Sequence, residues 1–434
     1  MSRQAYRAAL LHAVDDPSVV PADEAIVAHD DGLLLVEDGH VAAFGDWAER
    51  GPTLSADVEL TELPGQLIIP GFIDAHTHYP QTDVMAAWGS QLLDWLNNHT
   101  FPAELAFADR GHADEAAGFF LDQLLRNGTT SALVFCTVHK ASVEALFEAA
   151  LARNMRLVAG KVLMDRGAPA GLLDTVETGR ADTEALIRAW QGRGRLGYAV
   201  TPRFAVTSSD EQLAMAGAVA AAHPEVLIHT HLSENLAEID RVAELFPGAK
   251  DYLDVYAQHG LVTSRSVFAH CVHASEDSLK RMAAAGASAA FCPSSNLLLG
   301  SGLFSLRQAC RCGVNVALGT DVGAGSSFSQ LAMMGEAYKV GQLAGEPLDP
   351  FQAFYAATLA GARALRLDDR IGNLAPGKEA DFLVIDPAAT PLLARRTAAA
   401  RNWRERLFAL SLLADDRAIA RTFVAGSCAH KRTG

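Results

Sequence analysis

From residue 67 to about 365 the chain alternates apolar runs of strand length with longer Ala-, Leu- and Glu-rich stretches of helical character, the signature of βα units and a parallel sheet. Eight strands can be placed, at 67–78, 129–136, 156–164, 197–204, 226–233, 267–273, 288–293 and 315–321. Eight is the number that closes a barrel, although the count alone also matches an open doubly wound sheet. At 434 residues the chain exceeds the roughly 250 of one (β/α)8 barrel and is short for three independent domains. One large domain with a smaller companion is the natural division.

The flanks have a different rhythm. Between 6 and 65 short apolar runs, "AALLHAV", "DDGLLLVEDGHVAAFGD" and "DVELTELPG", are broken by turn signals, and Gly39 suits a hairpin turn that needs a positive φ. The opening "MSRQAYRAALLHAVDD" has two arginines ahead of an apolar segment, but His12, Asp15 and Asp16 cut that segment too short for a signal peptide, so it reads as a first strand. No helix is needed there. Past the barrel, "IGNLAPGKEADFLVID" and "RTFVAG" return to β character. The expectation is an α/β chain: a (β/α)8 TIM-type barrel over 67–370, and one small β domain built from 1–66 together with 371–434.

With 50% hydrophobic and 20% charged residues, the composition is that of a globular protein with a large core. A net charge of −15 argues against nucleic acid, which is gripped by clustered Lys and Arg. No uncharged apolar stretch reaches the ~18 residues of a membrane span. The six cysteines include no CxxC, and in a chain this long they do not form a disulfide framework, so reduced thiols in the cytoplasm fit best. Cys310 and Cys312 lack a second pair that would complete a soft-metal site.

The chemistry-bearing residues gather at the C-terminal ends of the proposed strands, the rim where barrel active sites are built. "FIDAHTHYPQ" places His76 and His78 on one face of the first strand, about 7 Å apart along the chain, a workable grip on one metal ion. "LIHTHLSEN" repeats the pattern with His229 and His231, and Glu234 lies just beyond the strand end, where a carboxylate can act on a metal-activated water without ligating the metal. His229 sits one step deeper and reads as a packing or supporting residue. "VFAHCVHA" supplies His270, which alone could be a core histidine, and "VALGTDVGAG" supplies Asp321, which alone could be a helix N-cap. Together, three histidines and an aspartate form the N/O donor set that suits Zn2+ or Fe2+ rather than Ca2+. The set closes one site, hence one ion per chain.

HxH after strand one, HxxE after strand five, His after strand six and Asp after strand eight, with the split β domain, resemble the amidohydrolase superfamily over essentially the whole chain. Within it the chain is similar to the guanine-deaminating branch, through "HYPQ", "LLDWLNNHTFPAE", "GKVLMD", "TPRFAVTSS", "HLSEN", "FCPSSNLLLGSG" and "GTDVGAG". That resemblance implies hydrolysis of guanine to xanthine and ammonia, with His76, His78, His231 and Asp321 as metal ligands. It implies catalytic roles for Glu234, His270 and Asp321, and a purine held by Gln81, Arg203 and Phe204. It also implies a homodimer. Lys161 stands where some relatives bridge two metals through a carbamylated lysine, but "GKVLMD" looks like the one-metal branch, so Lys161 takes no metal role. Arg203 has an alternative, pairing with an acidic residue on a neighbouring loop and only shaping the rim. Two other readings stay open: deamination or dechlorination of another purine or an s-triazine ring, and, in a different class, a non-catalytic scaffold of the same fold.

Overall fold

The computed structural model describes residues 3–88 and 91–433. Eight parallel strands pair in chain order: Phe72–His78, Thr129–Phe135, Arg156–Gly160, Leu196–Pro202, Leu227–Leu232, Ser266–His270, Ser288–Phe291 and Asn315–Leu318. Runs such as "TTSALVF" are buried along their whole length, as expected of strands covered on both faces. Helices including Arg110–Arg126, Lys140–Ala152 and Val176–Trp190 return the chain between strands. A two-residue segment, Val162–Leu163, continues the third strand beside the fourth.

The sheet wraps round until its last strand meets its first. The Asp321 N–H donates to the His76 carbonyl and the His78 N–H to the Val322 carbonyl, each at 2.9 Å. Gly319 permits this approach, since a Cβ there would lie 2.9 Å from the Cβ of His76 and 3.0 Å from the Sγ of Cys292. An open doubly wound sheet has no such seam, so the barrel is the architecture.

A separate seven-stranded sheet draws on both chain ends, in the order Ser427–Lys431, Ile419–Val424, Phe382–Ile385, Glu59–Pro70, Arg3–Ala13, Ile26–Glu37 and His40–Asp46. Its hairpin at Asp38 and Gly39 has φ of 46° and 79°, the doubly left-handed turn that glycine favours. At the base of the barrel, Arg156 and Arg195 reach the carboxylates of Glu379 and Asp381 and tie the barrel to this sheet.

Three expectations are corrected. The segment 67–78 is not one strand: Glu59–Pro70 belongs to the small sheet and Phe72–His78 to the barrel, with Gly71 between. The apolar run "LIIPGFIDAH" is buried from Leu67's neighbours onward in both sheets, so hydrophobicity carries no mark of the crossing. One-turn helices, Ala22–Ala25 and Trp47–Arg50, interrupt the N-terminal β unit. Two further helices, Pro391–Ala398 and Trp403–Leu413, stand between strands of the small sheet. Among the described residues no helix is long and apolar enough to cross a membrane, and all six cysteines are free thiols.

Candidate active site

The C-terminal ends of the strands bring the sequence-selected residues to one buried point. His76 and His78 leave the first strand on the same face, and their Nε2 atoms are 3.2 Å apart. Both face Oδ1 of Asp321, at 3.2 and 3.3 Å. His231 joins them from the fifth strand, with ligand atoms of all three histidines inside 4.8 Å of one another. His270 Nε2 lies 3.4 Å from Glu234 Oε2 and 3.8 Å from Asp321 Oδ2. His270 and Asp321 have φ of 70° and 49°, the left-handed region that costs a non-glycine residue about 1–3 kcal/mol and gathers at functional sites.

The outward nitrogens of the three histidines are each held. His76 Nδ1 meets His229 Nε2 at 2.8 Å, which makes His229 the support behind His76. His78 Nδ1 meets the Gln81 amide at 3.1 Å, and His231 Nδ1 donates to the Arg203 carbonyl at 2.7 Å. Each ring is thereby oriented with Nε2 inward, and at His231 the Nδ1 proton goes to a carbonyl, the arrangement by which proteins aim metal-binding imidazoles.

Burial drives the imidazoles toward their neutral forms: His78 and His270 fall to about 3, and His231 drops well below its ordinary value, with neighbouring histidines adding to the effect at His78 and His231. Burial also opposes a charge on Asp321, yet hydrogen bonds from His76 and His78 hold its carboxyl well below the usual range. His78 and His231 thus present neutral nitrogens and Asp321 a negative oxygen. Four ligands on a tetrahedral ion with bonds of ~2.0–2.1 Å would stand about 3.3 Å apart, close to the separations among His76, His78 and Asp321. The residues fit a divalent ion.

Glu234 is buried beside this point. Burial first, then the charges of Asp321 and Glu238, push its carboxyl well above the usual carboxylate range, opposed by a hydrogen bond that Oε1 accepts from the Ser301 hydroxyl at 3.3 Å. His270 Nδ1 faces the Asn296 amide nitrogen at 2.9 Å, and accepting that bond leaves the imidazole proton on Nε2. A cavity of about 30 Å³ opens at the centre, lined by Gln81, Arg203, Phe204, Glu234 and His270 and by the apolar Leu92, Trp95, Leu96 and Leu299.

Sequence reading missed several of these neighbours. Glu104, at the end of "LLDWLNNHTFPAE", pairs with Arg203 at 2.8 Å. Arg203 therefore makes the acidic-loop contact held open for it and also lines the cavity. Asn296 and Ser301 stand in "FCPSSNLLLGSG", a stretch matched as a motif without a role for either residue. The Nε1 of Trp95 is buried with no hydrogen-bond partner among the described residues. Lys161 is buried with its Nζ paired to Asp174.

A family model for the amidohydrolase family matches residues 67–428. The chain is 50% identical over 419 residues to a guanine deaminase of Escherichia coli (strain K12), covering 96% of this chain and 95% of that one. A solved structure of the E. coli guanine deaminase superposes with a TM-score of 0.95 at 47% identity, covering all of both chains. Another, of the C. acetobutylicum guanine deaminase with guanine bound in its active site, superposes with a TM-score of 0.88 at 28% identity over 98% of this chain and 100% of that one.

Proposed function

The chain belongs to the amidohydrolase family, and from that premise we propose that it hydrolyses guanine to xanthine and ammonia. The observation that carries this reading is the single cavity wall that sets Gln81, Arg203 and Phe204 beside Glu234, His270 and Asp321. His76, His78, His231 and Asp321 would hold one divalent ion, zinc by the donor set, with Fe2+ as the other cation that set accepts. When bound, the ion supplies Lewis acidity that makes water a nucleophile near neutral pH.

The chain's own groups do the rest. Asp321 and His270 orient the water oxygen toward C2 of the ring. Glu234 takes a proton from that water and passes it to N3, which makes C2 electrophilic. It then carries the second proton to the departing amine, so that ammonia leaves and a C2 carbonyl remains. A carboxyl whose proton affinity burial has raised is suited to both transfers. Arg203 donates to O6 and Phe204 packs against the ring. Leu92, Leu96 and Leu299 add an apolar lining to the cavity.

The proposal extends to a homodimer acting in the cytoplasm in purine catabolism, with the barrel from Phe72 to about residue 370 as the catalytic unit and the chain up to Pro70 together with 371–434 as its β domain. Family resemblance supports the dimer, and the free thiols suit a reducing compartment. Ammonia release from guanine, set against adenine, cytosine and melamine, tests the substrate. Release from melamine in preference to guanine would favour the triazine reading, and release from none would favour the scaffold.

A further inference from the structure

Glu104 is fully buried and Arg203 nearly so, with side-chain exposures of 0% and 3%. Burying two charges is costly unless they meet in good geometry, so a pair at this depth needs a reason. Both carboxylate oxygens of Glu104 lie on the one nitrogen Nη1 of Arg203, at 2.8 and 2.9 Å. Oε1 also accepts from Gln81 Nε2 at 3.1 Å. One carboxylate thus grips both polar members of the ring-holding wall, while Glu104 itself stands behind that wall and does not line the cavity.

The way it grips matters. A side-on pair would use two guanidinium nitrogens; here the contact uses Nη1 alone, while Arg203 also lines the cavity. The negative charge also compensates the guanidinium, so the wall presents donors without a net charge and suits a neutral ring better than an anion. Arg203 also stands over the Phe101 ring, 5.5 Å from its centroid, and Phe101 begins the short helix Phe101–Leu105 that carries Glu104. The helix therefore holds the guanidinium by charge and by its face.

We propose that Glu104 is a positioning residue for substrate recognition, fixing Arg203 and Gln81 as one unit against the ring. This rests on reading the cavity as the ring-binding site. Glu104→Gln, nearly isosteric but uncharged, is expected to keep the metal and a cooperative thermal transition while raising KM for guanine at least about tenfold, with kcat changed by less than about threefold. Glu104→Asp, which keeps the charge on a shorter stem, should fall between wild type and Glu104→Gln. Because Glu104 acts through Arg203, adding Glu104→Gln to Arg203→Gln should raise KM by far less than the product of the two single effects.

An unchanged KM in both Glu104 variants, or fully multiplicative effects in the double variant, would overturn the inference while leaving the function intact. Loss of folding in both variants would make Glu104 a structural anchor and overturn it as well. If the metal-loaded wild type turns over another ring, the same comparison on that ring decides the matter. Turnover of no ring by the wild type overturns the function and the inference together.

Discussion

Asp321 and His76 meet twice: the Asp321 N–H donates to the His76 carbonyl at 2.9 Å, and Asp321 Oδ1 lies 3.2 Å from His76 Nε2. The hydrogen bond that closes the barrel and the contact that builds the candidate metal site are made by the same two residues. A side chain on Gly319 would disturb both, because its Cβ would press on His76.

The donor set predicts close to one tightly held divalent ion per chain in the purified protein, lost on chelation together with activity and restored by zinc. Metal analysis checks this. A value near two would contradict the single site, and Lys161 would have to leave Asp174 to provide the second.

Glu234→Gln should keep the fold and the metal and lose about 10²- to 10⁴-fold in kcat, the usual contribution of a positioned proton-transfer group. Steady-state kinetics beside a metal assay reads it. More than a tenth of wild-type kcat would move the proton role to His270, which already lies 3.4 Å from Glu234.

Arg203 donates and cannot accept, so it suits the O6 carbonyl and disfavours the amino group that 2,6-diaminopurine carries there. Leaving a buried donor unpaired costs roughly 1–3 kcal/mol, equivalent to about fivefold to 150-fold in preference for guanine. Arg203→Gln should collapse that preference. The ratio of kcat/KM values is the quantity to compare, since the substitution also strands Glu104 and lowers stability. An unchanged ratio would mean that another residue reads O6.

At the base of the barrel, Glu379 accepts from Arg156 Nε at 2.8 Å and Arg195 Nε at 2.9 Å. Burial opposes its charge, but the two guanidinium groups hold its carboxyl below the usual value. A depressed folded-state value stabilises the fold above the ordinary carboxylate range, and that stability is lost as pH falls through the lowered value. Glu379→Gln should therefore lower stability at neutral pH, and by progressively less as pH falls below the ordinary carboxylate range. Denaturant melts of the two proteins across that range test it; a difference independent of pH would show that the carboxylate charge is not what ties barrel to sheet.

The sequence made the candidate metal-binding histidines legible because strand geometry is regular: alternation puts His76 and His78 on one face, and a strand end puts Glu234 and Asp321 at the rim. Residues that support them were hidden for the opposite reason. Glu104 arrives on a short helix of the excursion after the first strand, Asn296 on the six-residue helix Pro293–Leu298 after the seventh and Ser301 just beyond it, segments too short for periodicity to tell which way a side chain faces. His229 was legible as a deeper residue, but its partner His76 lies 153 positions away and only closure of the barrel brings them together. The crossing at Gly71 was illegible because Ile69 and Ile73 are equally apolar and equally buried, one in each sheet.

The central claim, hydrolysis at C2 of guanine by a water that Glu234 deprotonates, is tested most directly by running the reaction in heavy-oxygen water and analysing both products by mass spectrometry. The account predicts one labelled oxygen in xanthine, at C2, with one ammonia released for each xanthine formed. Unlabelled product, label at C6, or no xanthine from guanine with the metal-loaded protein would contradict it.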